Sequence, residues 1–214
     1  MSARTGYRCP PPSIAKLLGS GVDVRLDGDM DALADRSAFG QPMTPSASGV
    51  SAALGPYGTV ARKVGTSYPS AVVCPSSASL TVGAPLTVGM WINPVASATG
   101  LRVIFEKYEQ FPPYRGFMIG LITVPGRVQL WDSVGFTFGS MNNIIANKWQ
   151  HYVVTYNGSI ARAFLDGIEY YQWSRVGGFV AFATALRIGG AYFGIGGYIN
   201  CLNGGTDQPV LAAQ

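Results

Sequence analysis

Residues 149–167, WQHYVVTYNGSIARAFLDG, constrain the fold of this chain more than any other stretch. From Tyr152 to Tyr156 every residue is β-branched or aromatic, and every second residue is apolar, which is the alternation of a strand with one face in a core. Asn157-Gly158 follows directly, and this dipeptide tolerates the positive φ angles of a two-residue hairpin turn. The segment therefore predicts antiparallel strands and shows no helical period.

A second hairpin signal follows the first. Residues 160–165, IARAFL, supply another segment of strand length, and Asp166-Gly167 offers the same turn chemistry. Two consecutive turns predict a meander of three strands. The rest of the chain consists of short apolar-alternating segments punctuated by many of its 28 glycines and 14 prolines, which is typical of an all-β protein.

The same residues resemble a known family. WQHYVVTYNG at 149–158 and AFLDG at 163–167 resemble the pattern W-x-H-V-A-V-T-Y-D-G … L-Y-V-D-G of the laminin-G-like, concanavalin A-like jelly-roll proteins. PLTVGMWINP at 85–94 is similar to the family's F-T-V-S-x-W-V-x-P, and LRIGG at 186–190 is similar to L-x-I-G-G. The ordered series spans about residues 20–214. It implies an all-β, two-sheet antiparallel jelly-roll sandwich.

Length and composition predict a single domain with an N-terminal arm. The chain has 214 residues, 48% of them hydrophobic, which is enough for one substantial core. We assign residues 21–214 to the jelly roll and residues 1–20 to an extended arm that docks on a neighbouring subunit, a frayed terminus being the alternative. The arm combines cations that no acid offsets with a polyproline-favouring triplet: Arg4, Arg8, Pro10, Pro11 and Pro12.

The charge pattern argues against two classes of partner. Only 12% of residues are charged and the formal net charge is +4, with lysines and arginines scattered, so we expect no nucleic-acid groove. Residues 178–199 are apolar enough to suggest a membrane span, but their glycines and the central Arg187 fit strands better. No apolar segment follows Arg4 and Arg8, so no secretory signal peptide is expected.

Metal and cofactor chemistry is also not expected. Three cysteines without a C-x-x-C pair, together with one histidine, do not supply the four ligands of a zinc site and favour free thiols in a reducing cytoplasm. The segment 27–31 begins like a calcium loop, but Ala32 and Ala38 stand where a turn glycine and a bidentate glutamate belong. The sequence leaves calcium binding open, although it contains no matching calcium-binding motif.

Two aromatic clusters are candidates for a ligand-contact surface. One lies in a proline-stiffened loop and the other follows the second hairpin turn, and both combine rigid rings with polar neighbours, as contact surfaces and sugar-stacking platforms do. Alternatively, the rings cap the ends of the sandwich. The candidate residues are Tyr108, Phe111, Tyr114, Tyr170, Tyr171 and Trp173.

Catalytic residues are not recognisable. The three glutamates, Glu106, Glu109 and Glu169, do not form the E-x-D-x-E pattern by which some relatives of this family cleave glycans. His151 lies mid-strand, and no G-x-S-x-G elbow accompanies it. We therefore expect a non-enzymatic protein, with a glycoside hydrolase as a remote alternative.

Within the resembled family, which includes lectins, adhesion modules, enzyme appendages and virus surface proteins, fold does not fix function. Low charge, the arm and the absence of catalytic groups favour a virion surface protein, such as a bacteriophage capsid decoration protein assembled in the host cytoplasm. Its partners would be other capsid or virion subunits, including copies of itself. The alternative is a carbohydrate-binding lectin module that attaches to glycans.

Overall fold

The computed structural model describes residues 23–30, 32–46, 49–56, 60–64, 70–81, 83–96, 101–109, 115–121, 128–132, 135–138, 144–174, 180–190, 199–201 and 204–213. Within these ranges the chain forms strands and no helix. The predicted arm, including Arg4, Arg8 and the proline triplet, lies outside the described residues. None of the described residues belongs to an apolar helix of membrane-spanning length.

The described strands follow one another in short segments. In chain order they are β1 (Asp23–Asp29), β2 (Ala34–Asp35), β3 (Thr44–Pro45), β4 (Val50–Leu54), β5 (Val60–Val64), β6 (Val72–Cys74), β7 (Leu86–Pro94), β8 (Leu101–Tyr108), β9 (Gly116–Leu121), β10 (Val128–Asp132), β11 (Gly135–Phe138), β12 (Gln150–Tyr156), β13 (Ile160–Leu165), β14 (Ile168–Ser174), β15 (Leu186–Ile188), β16 (Ile199–Cys201) and β17 (Gly204–Ala213).

These strands make two sheets. One has the order β14-β13-β12-β7-β17-β1-β2, and the β4–β5 hairpin joins it through β5 and β17. The other has the order β11-β10-β9-β8-β15-β6-β3, with β16 beside β8. The described pairs are antiparallel except for β16 with β8. The predicted all-β, antiparallel two-sheet architecture is therefore confirmed.

Strand β12 has the burial pattern that its sequence predicts. It pairs with β7 over seven residues, from Gln150 opposite Ile92 to Tyr156 opposite Leu86. Alternate residues of β12 are buried, and Tyr152 and Val154 lie in the core between the sheets. The predicted inward apolar face of this strand is confirmed.

The two hairpin turns differ in detail. Asp166 and Gly167 both have positive φ, at 51° and 82°, so the second turn has the predicted two-residue geometry. In the first turn the loop residues are Gly158 and Ser159, one position later than predicted. The reason is that the Asn157 side-chain oxygen accepts hydrogen bonds from the backbone N–H groups of Ser159 and Ile160, which leaves Asn157 at the strand end.

Glycine at position 116 permits the close approach of β9 to β8. Its φ is 85°, and a Cβ there would collide with the backbone carbonyl of Lys107. Opposite Gly116 lies Tyr108, the last residue of β8, and the Gly116 N–H donates to the carbonyl of Val180 at 2.8 Å. Three backbone segments therefore meet at a position that only glycine fits.

We predict that Gly116→Ala destabilises the protein by several kcal/mol, roughly 3–5, because strain and a backbone collision add. Gly167→Ala is the matched control, since its φ is also positive but no atom lies within 4 Å of the position that a Cβ would take. That control should lose only the conformational term of about 1–2 kcal/mol. Urea unfolding of both variants measures the difference, and equal losses would contradict the collision.

Lys107 is the most unusual buried group of the described core. Its side chain is 1% exposed, and its ammonium donates to the carbonyl of Thr184 at 2.6 Å. Burial lowers the pKa of Lys107 from 10.5 to about 8, partly offset by Cys74. Burial, followed by Asp35, raises the pKa of the Cys74 thiol to about 12.

These shifts predict a rise in stability on going from pH 7.5 to pH 9. Above pH 8 the unfolded chain holds a proton on Lys107 that the folded chain has lost, so the free energy of unfolding increases with pH, by up to about 1.4 kcal/mol per unit. The Cys74 contribution has the opposite sign and sets in as the pH approaches 9, the ordinary pKa of the thiol, so it offsets the rise only at the upper end of this range. Denaturant titrations of Lys107→Met should lack the rise, and parallel pH profiles for the two proteins would refute the assignment.

Candidate ligand-binding site

The six candidate contact residues do not form one surface in the structure. Phe111 and Tyr114 lie outside the described residues. Tyr108 is only 6% exposed, which differs from the exposed position expected for it. The physical reason is that Tyr108 is the last residue of β8 and pairs with Gly116 of β9, so it belongs to the sheet and not to the loop. Tyr108 therefore offers little surface to a ligand.

The other three candidates share strand β14, at the edge of its sheet. Tyr170, Tyr171 and Trp173 are half-buried and pack against the core. The pairing of β14 with β13 contains a bulge: Ala163 pairs with Tyr171 and Phe164 with Glu169, so Tyr170 is the extra residue. Because a bulge breaks the two-residue alternation, two consecutive tyrosines pack against the same core.

Tyr152 completes this group from the neighbouring part of the sheet. Its ring centroid lies 6.3 Å from that of Tyr170 with a tilt of 46°, and the rings of Tyr171 and Trp173 are 5.2 Å apart with a tilt of 31°. We call these four residues the β14 aromatic cluster. Sequence reasoning placed Tyr152 in the core but did not connect it with the cluster.

Three polar atoms of the β14 aromatic cluster are buried without a hydrogen bond of standard geometry: the hydroxyls of Tyr152 and Tyr170 and the indole Nε1 of Trp173. A buried polar group without a partner costs about 1–3 kcal/mol.

The two phenols of the cluster also affect each other's titration. Burial, followed by the proximity of Tyr170, raises the pKa of Tyr152 well above 10. Burial likewise raises the pKa of Tyr170, and the nearby Tyr152 hydroxyl offsets part of that rise. The hydroxyls are therefore neighbours, although their geometry does not satisfy either one. Both phenols are neutral across the physiological range and can donate and accept hydrogen bonds.

The opposite face of the same sheet carries a second aromatic group. Trp91 and His151 are paired across β7 and β12, and their ring centroids are 5.0 Å apart. Phe164 is half-buried and pairs with Val153 in the next row of this face. Burial lowers the pKa of His151, although the Asp166 carboxylate raises it. Sequence reasoning treated Trp91 and His151 only as family strand positions.

Each glutamate that the structure describes forms an ion pair with an arginine. Glu109 and Arg115 form a charged hydrogen bond of 2.7 Å, and Glu169 lies 3.7 Å from Arg162. Glu106 is fully buried at 3.7 Å from Arg187. Within the ranges that the structure describes, no group of three or more histidines, cysteines, aspartates or glutamates is placed to hold a metal ion.

Comparison with known proteins identifies the family. A laminin-G-type family model, described as the concanavalin A-like lectin/glucanases superfamily, matches residues 66–204. The chain belongs to this superfamily, and its fold is the concanavalin A-like jelly roll that the sequence predicts. No curated protein matches the chain in sequence.

Several solved structures share the fold. Domain 4 of AbnA, an extracellular arabinanase of Geobacillus stearothermophilus in complex with arabinotriose, has a TM-score of 0.70 at 17% identity, with 90% of this chain and 93% of that chain covered. The binding domain of Paraclostridial Mosquitocidal Protein 1 has a TM-score of 0.68 at 14% identity, with 90% and 49% covered.

A third structure is that of botulinum neurotoxin type C, whose entry into cells is described as dependent on interaction with two ganglioside molecules. Its TM-score is 0.66 at 15% identity, and 90% of this chain matches 48% of that chain. The chain therefore spans about half the length of the two toxin structures but nearly all of the arabinanase domain. At these identities the likeness shows the fold alone.

Proposed function

We propose that this chain is a non-catalytic glycan-binding module that uses the β14 aromatic cluster as its contact site. The observation that carries the proposal is the combination of half-buried rings at a sheet edge with three buried polar atoms, two of them on those rings, that lack a hydrogen bond of standard geometry. Sugars present apolar C–H faces and many hydroxyls. A site for them therefore combines aromatic surface with hydrogen-bonding groups that protein partners have not satisfied.

The arabinanase domain supports this proposal, because it was solved with arabinotriose and the chain matches nearly its whole length. The neurotoxin is described with gangliosides, and the chain matches about half of that structure. The ion pairs of the described glutamates with arginines support a binding role over hydrolysis. Glycoside hydrolysis needs two carboxyl groups on opposite sides of a scissile bond, and the β14 aromatic cluster contains none.

We predict that Trp173→Ala weakens glycan binding by about tenfold or more, because it removes both an aromatic face and an N–H donor, each worth about 1 kcal/mol or more. Gln172→Ala is the matched control on the same strand, since Gln172 is exposed and bonds to Arg162. Calorimetry against oligosaccharides of arabinose, glucose, galactose, mannose and xylose provides the measurement. Failure to bind any member of this panel would refute the proposed function.

A second candidate function is that of a virion surface protein, such as a bacteriophage capsid decoration protein, with other virion subunits as partners. An exposed apolar group favours it: Leu54 is 76% exposed and Ile145 48% exposed. Trp149 links them, because its indole N–H donates to the Leu54 carbonyl at 3.2 Å and it adjoins Gln150, which accepts from the Ile145 N–H. Such a group suits burial between subunits.

For this second candidate we predict that Leu54→Asp prevents co-sedimentation with assembled particles while leaving the domain folded, since a charge at an apolar contact is costly to bury. Ser51→Asp is the control, because Ser51 is also exposed on β4 but is not apolar. Sedimentation of particles produced with each variant tests the idea. Equal occupancy for wild type and Leu54→Asp would argue against this contact.

A further inference from the structure

We infer that the β14 aromatic cluster selects neutral sugars over acidic ones, and that the hydroxyls of Tyr152 and Tyr170 and the indole N–H of Trp173 bind the sugar's hydroxyl groups. This inference rests on the proposed glycan-binding function and adds a ligand class and three named contacts to it. The deepest of them, Tyr152, belongs to the core by its sequence pattern and by its burial.

The bulge in β14 brings two phenols together. Regular alternation would direct Tyr170 away from the core, since its neighbour Tyr171 packs against that core. The extra residue instead brings the Tyr170 ring to within 6.3 Å of Tyr152. Bulges at sheet edges commonly re-aim side chains at binding sites. Here the result is two buried phenol hydroxyls that lie close to each other but form no hydrogen bond of standard geometry.

The hydrogen-bond capacity of the three atoms defines what a ligand must offer. A phenol hydroxyl donates and accepts, whereas the indole N–H only donates. A ligand must therefore offer a group of either kind to each of the two tyrosines, which lie side by side. The indole N–H of Trp173 lies further along the strand, in the row of Tyr156, and needs an acceptor of its own. An alcohol hydroxyl donates and accepts, and an oligosaccharide carries such hydroxyls along its whole length.

The charges of this part of the sheet favour a neutral ligand. The charged residues Arg162 and Glu169 lie on the face of the sheet opposite to the core-facing residues. On that face Arg162 donates to Gln172 at 3.1 Å and lies 3.7 Å from Glu169. Burial is the largest cause of the raised pKa of both tyrosines, which marks a low-dielectric environment. A carboxylate placed there would lose its hydration without gaining a described cation.

The position of β14 at the sheet edge provides access. The strand has a hydrogen-bonded neighbour on one side, β13, in the described sheet order. Tyr171 and Trp173 are half-buried on this strand, so part of each side chain is accessible to a ligand. Binding through the buried atoms requires these side chains to move when a ligand hydroxyl enters, and edge segments with few neighbours open locally more readily than central strands.

The experiment uses Tyr152→Phe and Tyr170→Phe in the full chain. Each substitution removes one hydroxyl and keeps the ring, so the free protein should unfold at an equal or higher temperature, since an unsatisfied buried group is lost. Binding of the neutral oligosaccharide found in the panel should weaken about five- to tenfold for each variant, as one hydrogen bond predicts. Gln172→Ala should bind like the wild type.

Charge selectivity is measured with a matched pair of ligands, lactose and sialyllactose, in addition to arabinotriose and the neutral panel. Neutral sugar binding that exceeds acidic sugar binding at least tenfold supports the inference, whereas a smaller preference or preferential binding of the acidic ligand overturns it.

Two further outcomes separate the inference from the proposed function. If glycans bind but both Phe variants bind like the wild type, the inference is wrong and the function stands. Loss of binding in Trp91→Ala would then locate the site on the opposite face of the sheet. If no panel member binds the wild type, the proposed function fails together with the inference. Thermal unfolding of every variant confirms that each is folded.

Discussion

The antiparallel pairing of β12 with β7 is the constraint on which the rest of the structure depends. Seven consecutive residue pairs fix the register, and because side chains alternate across a sheet, this register determines both faces at once. It places Tyr152 and Val154 between the sheets and pairs His151 with Trp91 on the other face. A shift by one residue would turn the core tyrosines outward and turn His151 towards the core.

The same register explains why the candidate site lies where it does. β13 and β14 continue the sheet outward from β12, so paired residues in these strands lie on the same face of the sheet. In β14 the bulge interrupts this alternation, because Tyr170 is an extra residue and its ring lies on the inner face. An edge strand tolerates this irregularity because its other side needs no matching partner in the described sheet.

Strong local signals made the fold predictable from the sequence. The alternation in β12, the turn residues Asp166-Gly167 and the family segments are local signals, because each depends only on residues that are close together in the sequence. The site was less predictable, because it depends on contacts between strands. The residues next to Tyr108 do not show that it pairs with Gly116 inside the sheet. The residues next to Tyr152 do not show that a bulge brings Tyr170 to its ring. The one-residue displacement of the first turn likewise depends on a side-chain hydrogen bond of Asn157.

If the proposed site is correct, core stability and ligand binding compete at Tyr152. A phenylalanine there would fill the same space without a buried, unsatisfied hydroxyl, so stability alone favours phenylalanine. Three such atoms are a substantial cost for a folded domain, given that total stability is typically about 5–15 kcal/mol. Under the proposed function a ligand supplies the missing partners, so that binding recovers a cost that packing leaves uncompensated.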